Sequence, residues 1–188
     1  MCIRDRSLTL KWKVALKNNH EEEAKLEEIL SKIGNNIKLR IDANGSWGRD
    51  IANRWADILK DNKNIDWLEQ PLCVDDIDGL TELNKKIPIA LDESLLKFPT
   101  LIDEWKGWQI RRPSQENNPV KLLRELENKK ALISISTSFE TGIGKRWLHH
   151  LSSLQLQGPT PKVPGLAMNK FPNSFLFLNE AKKIWDQL

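Results

Sequence analysis

The segment IKLRIDANGSWGRDIANRWADILKDNKNIDWLEQ, residues 37–70, carries the clearest signal of the fold. It opens with the β-rich run Ile37–Asp42 and closes with a second such run, Ile65–Glu69. Between these runs, apolar residues recur with helical period at Ile51, Trp55, Ile58 and Leu59. A strand, a helix and a strand in succession predict two parallel strands joined by a crossover helix whose apolar stripe packs on the sheet.

The same alternation continues along the rest of the chain. The strand candidates, of which the last is the weakest, are Leu8–Leu16, Ile37–Asp42, Ile65–Glu69, Ile87–Leu91, Trp108–Arg112, Ala131–Ile135 and Leu154–Leu156. This order predicts an α/β fold, either an open doubly wound sheet or a (β/α)8 barrel. Because such a barrel typically needs about 250 residues, a barrel formed by these 188 residues would lack one unit.

Helix signals lie between the strand candidates. One stripe comprises Leu26, Ile29, Leu30 and Ile33. Asn118 and Pro119 form a good N-cap and first-turn pair for a helix that presents Leu122, Leu123 and Leu126. A later helix is expected to pack through Trp147, Leu151 and Leu154.

Composition excludes several classes of partner. Lys and Arg number 29 against 26 Asp and Glu, and a net charge of +3 is too small to predict binding to nucleic acid or anionic lipid. Cys2 and Cys73 lie far apart without zinc-type spacing, as is typical of a reduced cytoplasmic protein. The apolar runs are much shorter than the roughly 20 residues of a membrane span. We therefore expect a cytoplasmic protein with neither partner, and its oligomeric state is left open.

The first six residues, MCIRDR, have no apolar period and lead into a strand without a turn. We interpret them as a non-native leader. Residues 7–188 contain no flexible linker or repeat, which predicts a single domain there.

Three acidic residues end successive strand candidates: Asp42, Glu69 and Asp92. The carboxyl ends of barrel strands meet at one mouth, so these three side chains would face a common point. Their mutual repulsion would favour a bound cation, and hard oxygen donors suit Mg²⁺. The alternative is that each acid merely caps a helix or a turn, which is common at such positions.

Lys11 and Lys13 flank Trp12 within the first strand candidate. Residues two apart in a strand point to the same face, so both ammonium groups would project together while Trp12 packs on the other face. On an edge strand, such lysines are ordinary solvated residues that block edge pairing. Inside a barrel they would need nearby carboxylates, and one could act as a general base.

Five motifs together resemble the enolase superfamily and, within it, the o-succinylbenzoate synthase family. They are LKWKV (10–14), RIDANGSW (40–47), WLEQPL (67–72), ALDES (90–94) and SISTSFETGIG (134–144), and the likeness extends from Leu8 to about Asn169. The resemblance implies an enolase-type (β/α) barrel that binds Mg²⁺, or Mn²⁺ in its place, through Asp42, Glu69 and Asp92.

The resemblance also implies roles for other residues. Lys13 would be the acid-base residue and Lys11 its supporting cation, while Arg40 and Asn44 would orient groups around the metal and the base. Substrate contacts, or support of the metal ligands, would come from Gln70, Glu93, Ser136 and Ser138.

The implied reaction is syn-dehydration of a small carboxylate substrate, 2-succinyl-6-hydroxy-2,4-cyclohexadiene-1-carboxylate, to o-succinylbenzoate in menaquinone or phylloquinone biosynthesis. Lys13 would remove the proton next to the carboxylate, the metal would stabilise the enediolate, and protonated Lys13 would help hydroxide to leave as water.

The sequence departs from the family pattern at two places. Arg112 stands where the family has a second lysine, and a permanently charged guanidinium is better suited to stabilising a dienolate than to acting as a second base. The family's N-terminal capping domain and first barrel strand are not found before Lys11, so we expect an incomplete barrel with weak activity. Two alternatives remain, namely another superfamily enzyme such as a muconate cycloisomerase or dipeptide epimerase, and a non-catalytic fragment or scaffold rich in tryptophan.

Overall fold

A computed structural model describes residues 9–166, 173–178 and 180–187. The strands within these residues are β1 (Thr9–Lys13), β2 (Lys38–Asp42), β3 (Ile65–Glu69), β4 (Ile89–Leu91), β5 (Trp108–Arg111) and β6 (Ile133–Ile135). The α-helices are α1 (Asn19–Lys32), α2 (Arg49–Leu59), α3 (Ile77–Asn84), α4 (Glu93–Lys97), α5 (Leu101–Glu104), α6 (Pro119–Glu127), α7 (Gly142–Leu156) and α8 (Ala181–Trp185). A 3₁₀ helix covers Phe175–Phe177.

The chain forms two compact units, the first ending at Trp108 and the second beginning at Gln109. In the first unit, β1, β2, β3 and β4 lie side by side in chain order, and each pairs with the next in parallel. The register aligns Lys13 with Asp42, Asp42 with Glu69, and Glu69 with Ala90. Successive strands therefore end at the same edge of the sheet.

One face of this sheet carries the apolar core. Leu39 and Ile41 of β2 and Leu68 of β3 are almost fully buried in a cluster that includes Trp55 of α2 and Leu80 of α3. Because side chains alternate along a strand, the residues between them point to the opposite face. Charged side chains of β1, β2 and β3 meet on that opposite face, as described below.

Trp12 packs against the apolar cluster, as the sequence predicts. Its ring lies 6.1 Å from that of Trp55, which in turn stacks at 4.9 Å on Trp47. The three indoles thus connect β1, α2 and the turn after β2. Because side chains alternate along β1, Lys11 and Lys13 lie on the face opposite Trp12.

In the second unit, β5 and β6 pair in parallel, with Gln109 opposite Ile133 and Arg111 opposite Ile135. The core there comprises Leu122, Leu126, Ile133, Ile135, Leu148 and Leu151. Helix α6 begins as predicted, since the Asn118 side chain accepts a hydrogen bond from the Lys121 N–H at 3.0 Å and Pro119 occupies the first turn.

The predicted seventh strand, Leu154–Leu156, is wrong, because these residues form the last turn of α7. The buried residues of α7 include Leu148, Leu151, Ser152 and Gln155, spaced by three or four as on one helical face. Trp147 falls off that face; it is exposed and stacks on His150 rather than packing on a sheet.

The stripe predicted for α2 is wrong at Ile58, which is exposed, whereas Ala52 and Ala56 are buried beside Trp55. β3 has the predicted bounds, and the other strands are shorter than predicted. Ile87 lies before β4 because its N–H bonds back to the Leu83 carbonyl at the end of α3. Leu132 interrupts the run before β6 with a φ of 60°.

No helix among the described residues is long and apolar enough to cross a membrane. The predicted leader and Leu8 lie outside the described residues. The single domain predicted over residues 7–188 stays a prediction.

Candidate acid-base and metal site

Lys11 and Lys13 extend from β1 towards the carboxyl ends of β2 and β3. The Lys11 Nζ lies 2.8 Å from Asp42 Oδ2 and 2.6 Å from Glu69 Oε1. The Lys13 Nζ lies 3.1 Å from the same Asp42 oxygen. Both ammonium groups thus contact one carboxylate, although β1 is the first strand in the order of the described sheet and the Lys13 side chain is 56% exposed.

The three predicted carboxylates are buried at the ends of their strands. Asp42, Glu69 and Asp92 are each 2% exposed or less. Asp92 holds the N-cap position of α4, yet its side chain makes no capping hydrogen bond. Asp42 does accept a turn-type hydrogen bond from the Asn44 N–H at 3.0 Å, in addition to its contacts with the lysines. Capping alone therefore does not account for burying three acids here.

Burial raises the pKa of Glu69 to about 7, with the charges of Asp42 and Asp92 adding to the rise and the Lys11 ammonium opposing it. Burial alone would lower the pKa of Lys11, but the neighbouring carboxylates of Glu69 and Asp42 outweigh it and raise that pKa. The ionised form of Glu69 is therefore disfavoured in its surroundings, and a bound cation would stabilise it.

Asn44 links the predicted base to the first residue of α4, the helix that follows β4. Its Oδ1 accepts a hydrogen bond from Lys13 Nζ at 2.6 Å, and its Nδ2 donates to Glu93 Oε1 at 2.8 Å. Glu93 Oε2 is buried and finds no hydrogen-bond partner among the described residues. Asn44 and Gly45 both have positive φ, which Asn and Gly tolerate best, so the local backbone aims the Asn44 amide at Lys13.

Gln70 is fully buried directly behind the carboxylates. Its Oε1 accepts from the N–H groups of Asp92, at 3.2 Å, and Ser94, at 3.1 Å. Its Nε2 donates to the Leu72 carbonyl and to the Ser94 hydroxyl. All four hydrogen-bonding positions of the amide are used, and the φ of Gln70 is 36°, a strained value that these bonds maintain. Gln70 therefore fixes the backbone that carries Asp92.

Arg40, which is predicted to orient groups around the metal and the base, contacts Asp66 and Trp67. Its Nε donates to Asp66 Oδ2 at 3.2 Å, and its guanidinium lies 4.0 Å from the centroid of the Trp67 ring. Burial lowers the pKa of Arg40, although Asp66 acts in the opposite direction. Asp66 reaches Arg40 because the pairing of β2 with β3 shifts register just before Arg40.

The second unit holds the remaining predicted residues. The Arg112 Nη1 donates to the Thr137 carbonyl at 2.7 Å. The Ser136 hydroxyl donates to the Gly165 carbonyl at 3.2 Å. The Ser138 N–H donates to Glu140 at 2.8 Å, and the Ser138 hydroxyl is buried without a hydrogen-bond partner among the described residues. Arg112 and both serines thus lie in or beside the segment that follows β6.

The donors fit a hard divalent cation in their chemistry. Buried carboxylate oxygens at three strand ends are the ligand type that Mg²⁺ prefers. In the part of the chain that the structure describes, however, no three His, Cys, Asp or Glu side chains are grouped as a ready metal site. The Lys11 ammonium instead bridges Asp42 and Glu69. Binding a cation would therefore require these side chains to rearrange.

Sequence reasoning missed several residues that support the site. Trp67 contacts Arg40 and donates from Nε1 towards Glu69 Oε2 at 3.4 Å, while its ring stacks on Trp108 at 4.9 Å. Its position two residues before Glu69 on the same strand is a signal that could have identified it. Ser94 and Asp66 carry no comparable signal, since their contacts depend on a turn and on a register shift.

Comparisons with known proteins identify the family of the chain. The family model described as "Enolase C-terminal domain-like" matches residues 4–103. An o-succinylbenzoate synthase from Thermosynechococcus vestitus is 31% identical over 96% of this chain and 59% of its own length. An N-succinyl-L-Arg/Lys racemase from Bacillus cereus is 33% identical over 45% of this chain and 24% of its own. The chain thus spans about three fifths or less of these relatives.

A solved structure gives the same fold. The crystal structure of o-succinylbenzoate synthase from Thermosynechococcus elongatus BP-1, complexed with Mg in the active site, superposes with a TM-score of 0.74 at 30% identity, covering 96% of this chain and 59% of that one. The predicted barrel-type fold is confirmed, and the doubly wound alternative is excluded. The chain belongs to the enolase C-terminal domain-like family.

Proposed function

We propose that the chain carries the catalytic face of an o-succinylbenzoate synthase. The observation that supports this most strongly is the convergence of Lys11 and Lys13 on Asp42, with Glu69 beside them. A base next to buried carboxylates is what removal of a proton adjacent to a substrate carboxylate requires. The similarity to o-succinylbenzoate synthase over 96% of the chain favours this reaction within the superfamily.

In this proposal, neutral Lys13 accepts the proton from the carbon that bears the substrate carboxylate. The ammonium thus formed protonates the hydroxyl group on the neighbouring carbon, which leaves as water from the same face. The ring becomes aromatic, and Lys13 returns to its neutral form. Lys11 remains a cation between Asp42 and Glu69 and holds them in place.

Asp42, Glu69 and Asp92 would hold Mg²⁺, or Mn²⁺ in its place. The bound ion would neutralise charge that develops on the substrate carboxylate. Gln70 supports this set by fixing the Asp92 backbone, and Asn44 and Glu93 form the polar chain that orients Lys13.

Arg112, Ser136 and Ser138 are proposed to contact the substrate, with the Arg112 guanidinium stabilising the dienolate in place of a second base. Arg40 is proposed to orient groups around the metal and the base indirectly, through its contact with the Trp67 ring. The free thiol of Cys73 is consistent with the proposed cytoplasmic location.

The test is turnover of 2-succinyl-6-hydroxy-2,4-cyclohexadiene-1-carboxylate, followed by the ultraviolet absorbance of the aromatic product. We expect turnover with Mg²⁺, none with EDTA, and loss of activity in Lys13→Ala. Lys17→Ala is a matched control outside the site, and it should retain activity. Retained turnover in Lys13→Ala would remove Lys13 as the base.

A second candidate is an N-succinylamino acid racemase, which the Bacillus cereus relative favours. A racemase would exchange the α-proton of both enantiomers of an N-succinylamino acid with solvent deuterium. The synthase reaction does not include this exchange. A scaffold without catalysis is tested by calorimetric titration with Mg²⁺, since absence of binding would mean that the carboxylates do not form a site.

A further inference from the structure

We propose that Glu22, a residue of α1, positions Lys13 for its reaction. The inference rests on the proposed role of Lys13, and it concerns the placement of that side chain rather than its chemistry. Glu22 does not touch the site itself, so it is a positioning residue.

The Glu22 carboxylate binds three successive backbone N–H groups just beyond β1. Its Oε2 accepts from the Ala15 N–H at 2.8 Å, and its Oε1 accepts from those of Leu16, at 3.0 Å, and Lys17, at 3.1 Å. Ala15 has a φ of 62°, the left-handed conformation that turns three N–H groups towards one point. A side chain from the next helix thus holds the turn after β1.

This arrangement is unusual for a buried carboxylate. Glu22 is 5% exposed, and among the described residues no lysine or arginine forms an ion pair with it. A buried charge is normally paired with an opposite charge, because burial without compensation is costly. Here the three N–H groups and the N-terminus of α1 provide the compensation.

The turn matters because packing restrains the Lys13 side chain only weakly. Its side chain is 56% exposed, against 35% for Lys11, so packing does not fix its four rotatable bonds. Among the described residues, its Nζ contacts Asp42 and Asn44, and these contacts depend on where its backbone lies. That backbone is held by the pairing of Lys13 with Asp42 at the end of β1, by the Val14 N–H, which donates to the Asp42 carbonyl at 2.9 Å, and by the turn that Glu22 holds.

Glu22→Gln tests the inference. The amide keeps the shape of the carboxylate, but its NH2 group is a donor and cannot accept hydrogen bonds from the backbone N–H groups. Glu21→Gln is the matched control, because Glu21 lies in the same first turn of α1, is exposed and carries the same charge. If Glu22→Gln fails to fold, Glu22→Asp replaces it, since the shorter carboxylate keeps the charge but cannot reach all three N–H groups.

The first measurement is NMR of ¹³C-labelled lysine at one fixed pH, with Lys13 assigned from Lys13→Arg and Lys11 from Lys11→Arg. A restrained lysine shows two distinct signals for its Cε protons, and a freely rotating one shows a single averaged signal. We expect two signals for Lys13 in the unaltered chain and in Glu21→Gln, and one in Glu22→Gln. Lys11 should keep its two signals throughout, because Asp42 and Glu69 hold it within β1.

The second measurement is turnover of the proposed substrate. We expect kcat to fall roughly 10-fold to 100-fold in Glu22→Gln, the loss that a displacement of about 1 Å produces, with KM changed by less than about twofold. An unaltered chain without turnover would refute the proposed function while leaving the NMR result decisive for Glu22. The inference is overturned if Lys13 keeps both signals in Glu22→Gln, if Lys11 and Lys13 lose theirs together, or if Lys13 is unrestrained from the start.

Discussion

Glu69→Gln should stabilise the metal-free protein at alkaline pH while weakening its affinity for Mg²⁺. Glu69 is 2% exposed and lies near the carboxylates of Asp42 and Asp92, so its ionised form is disfavoured despite the contact with Lys11. Glutamine has nearly the same shape and carries no charge. Removing the charge therefore removes the cost of burying it beside two carboxylates, which the Lys11 ammonium offsets only in part.

The size of the effect follows from the pKa of Glu69, which rises from 4.5 to about 7 in the folded chain. At 1.36 kcal/mol per pH unit, this corresponds to about 3 kcal/mol. A raised carboxyl pKa means that the folded state binds the proton more tightly than the unfolded state. The free energy of unfolding should therefore fall as the pH rises from about 4.5 through 7, and level off above that range.

The assay is urea unfolding in EDTA, followed by circular dichroism, at pH 5 and pH 8. We expect Glu69→Gln to raise the free energy of unfolding by about 3 kcal/mol at pH 8 and by only about 1 kcal/mol at pH 5. Glu82→Gln is the control, because Glu82 is 67% exposed and pairs with Lys85 at the surface. Saturating Mg²⁺ should stabilise the unaltered chain at pH 8 and have much less effect on Glu69→Gln.

Two results would refute this reasoning. One is an unfolding free energy of the unaltered chain that does not change between pH 5 and pH 8 in EDTA. The other is a Glu69→Gln variant that is no more stable than the unaltered chain at pH 8, which would mean that Lys11 fully neutralises the site.

Three further predictions follow from the site and its core. Mg²⁺ binding at pH 6 should release about one proton, because Glu69 is then largely protonated, and almost none at pH 8.5; calorimetry in buffers of different ionisation enthalpy measures this. Gln70→Leu should lower Mg²⁺ affinity roughly 10-fold to 100-fold by releasing the Asp92 N–H, and unchanged affinity in titration would contradict this. Trp55→Ala should cost about 3–5 kcal/mol in urea unfolding, since the ring is fully buried between Trp12 and Trp47; a cost below about 1 kcal/mol would exclude it as a core residue.

The arrangement of Lys11, Lys13, Asp42 and Glu69 was predictable from the sequence. Two-residue alternation fixes which side chains of a strand share a face, and strand ends locate the acids. The contacts between the two lysines and Asp42 follow from these rules once β1 pairs with β2 in the observed register.

Other features depend on tertiary contacts that no local pattern encodes. Leu154–Leu156 has the apolar character of a strand, but helical period over Leu148 to Gln155 prevails because that face is the one buried. Arg40 contacts Asp66 because the register between β2 and β3 shifts, and no pattern in the sequence predicts that shift. Glu22 is one of three consecutive glutamates, and only the fold shows that it is the buried one.

The two faces of the β1–β4 sheet have an evolutionary consequence. Leu39, Ile41 and Leu68 secure the structure from one side, while the residues that alternate with them carry the chemistry on the other. Substitutions on the reactive face therefore leave the packing of the helices largely untouched. A lineage built on this sheet can exchange one reaction for another without refolding, and its relatives include both a synthase and a racemase.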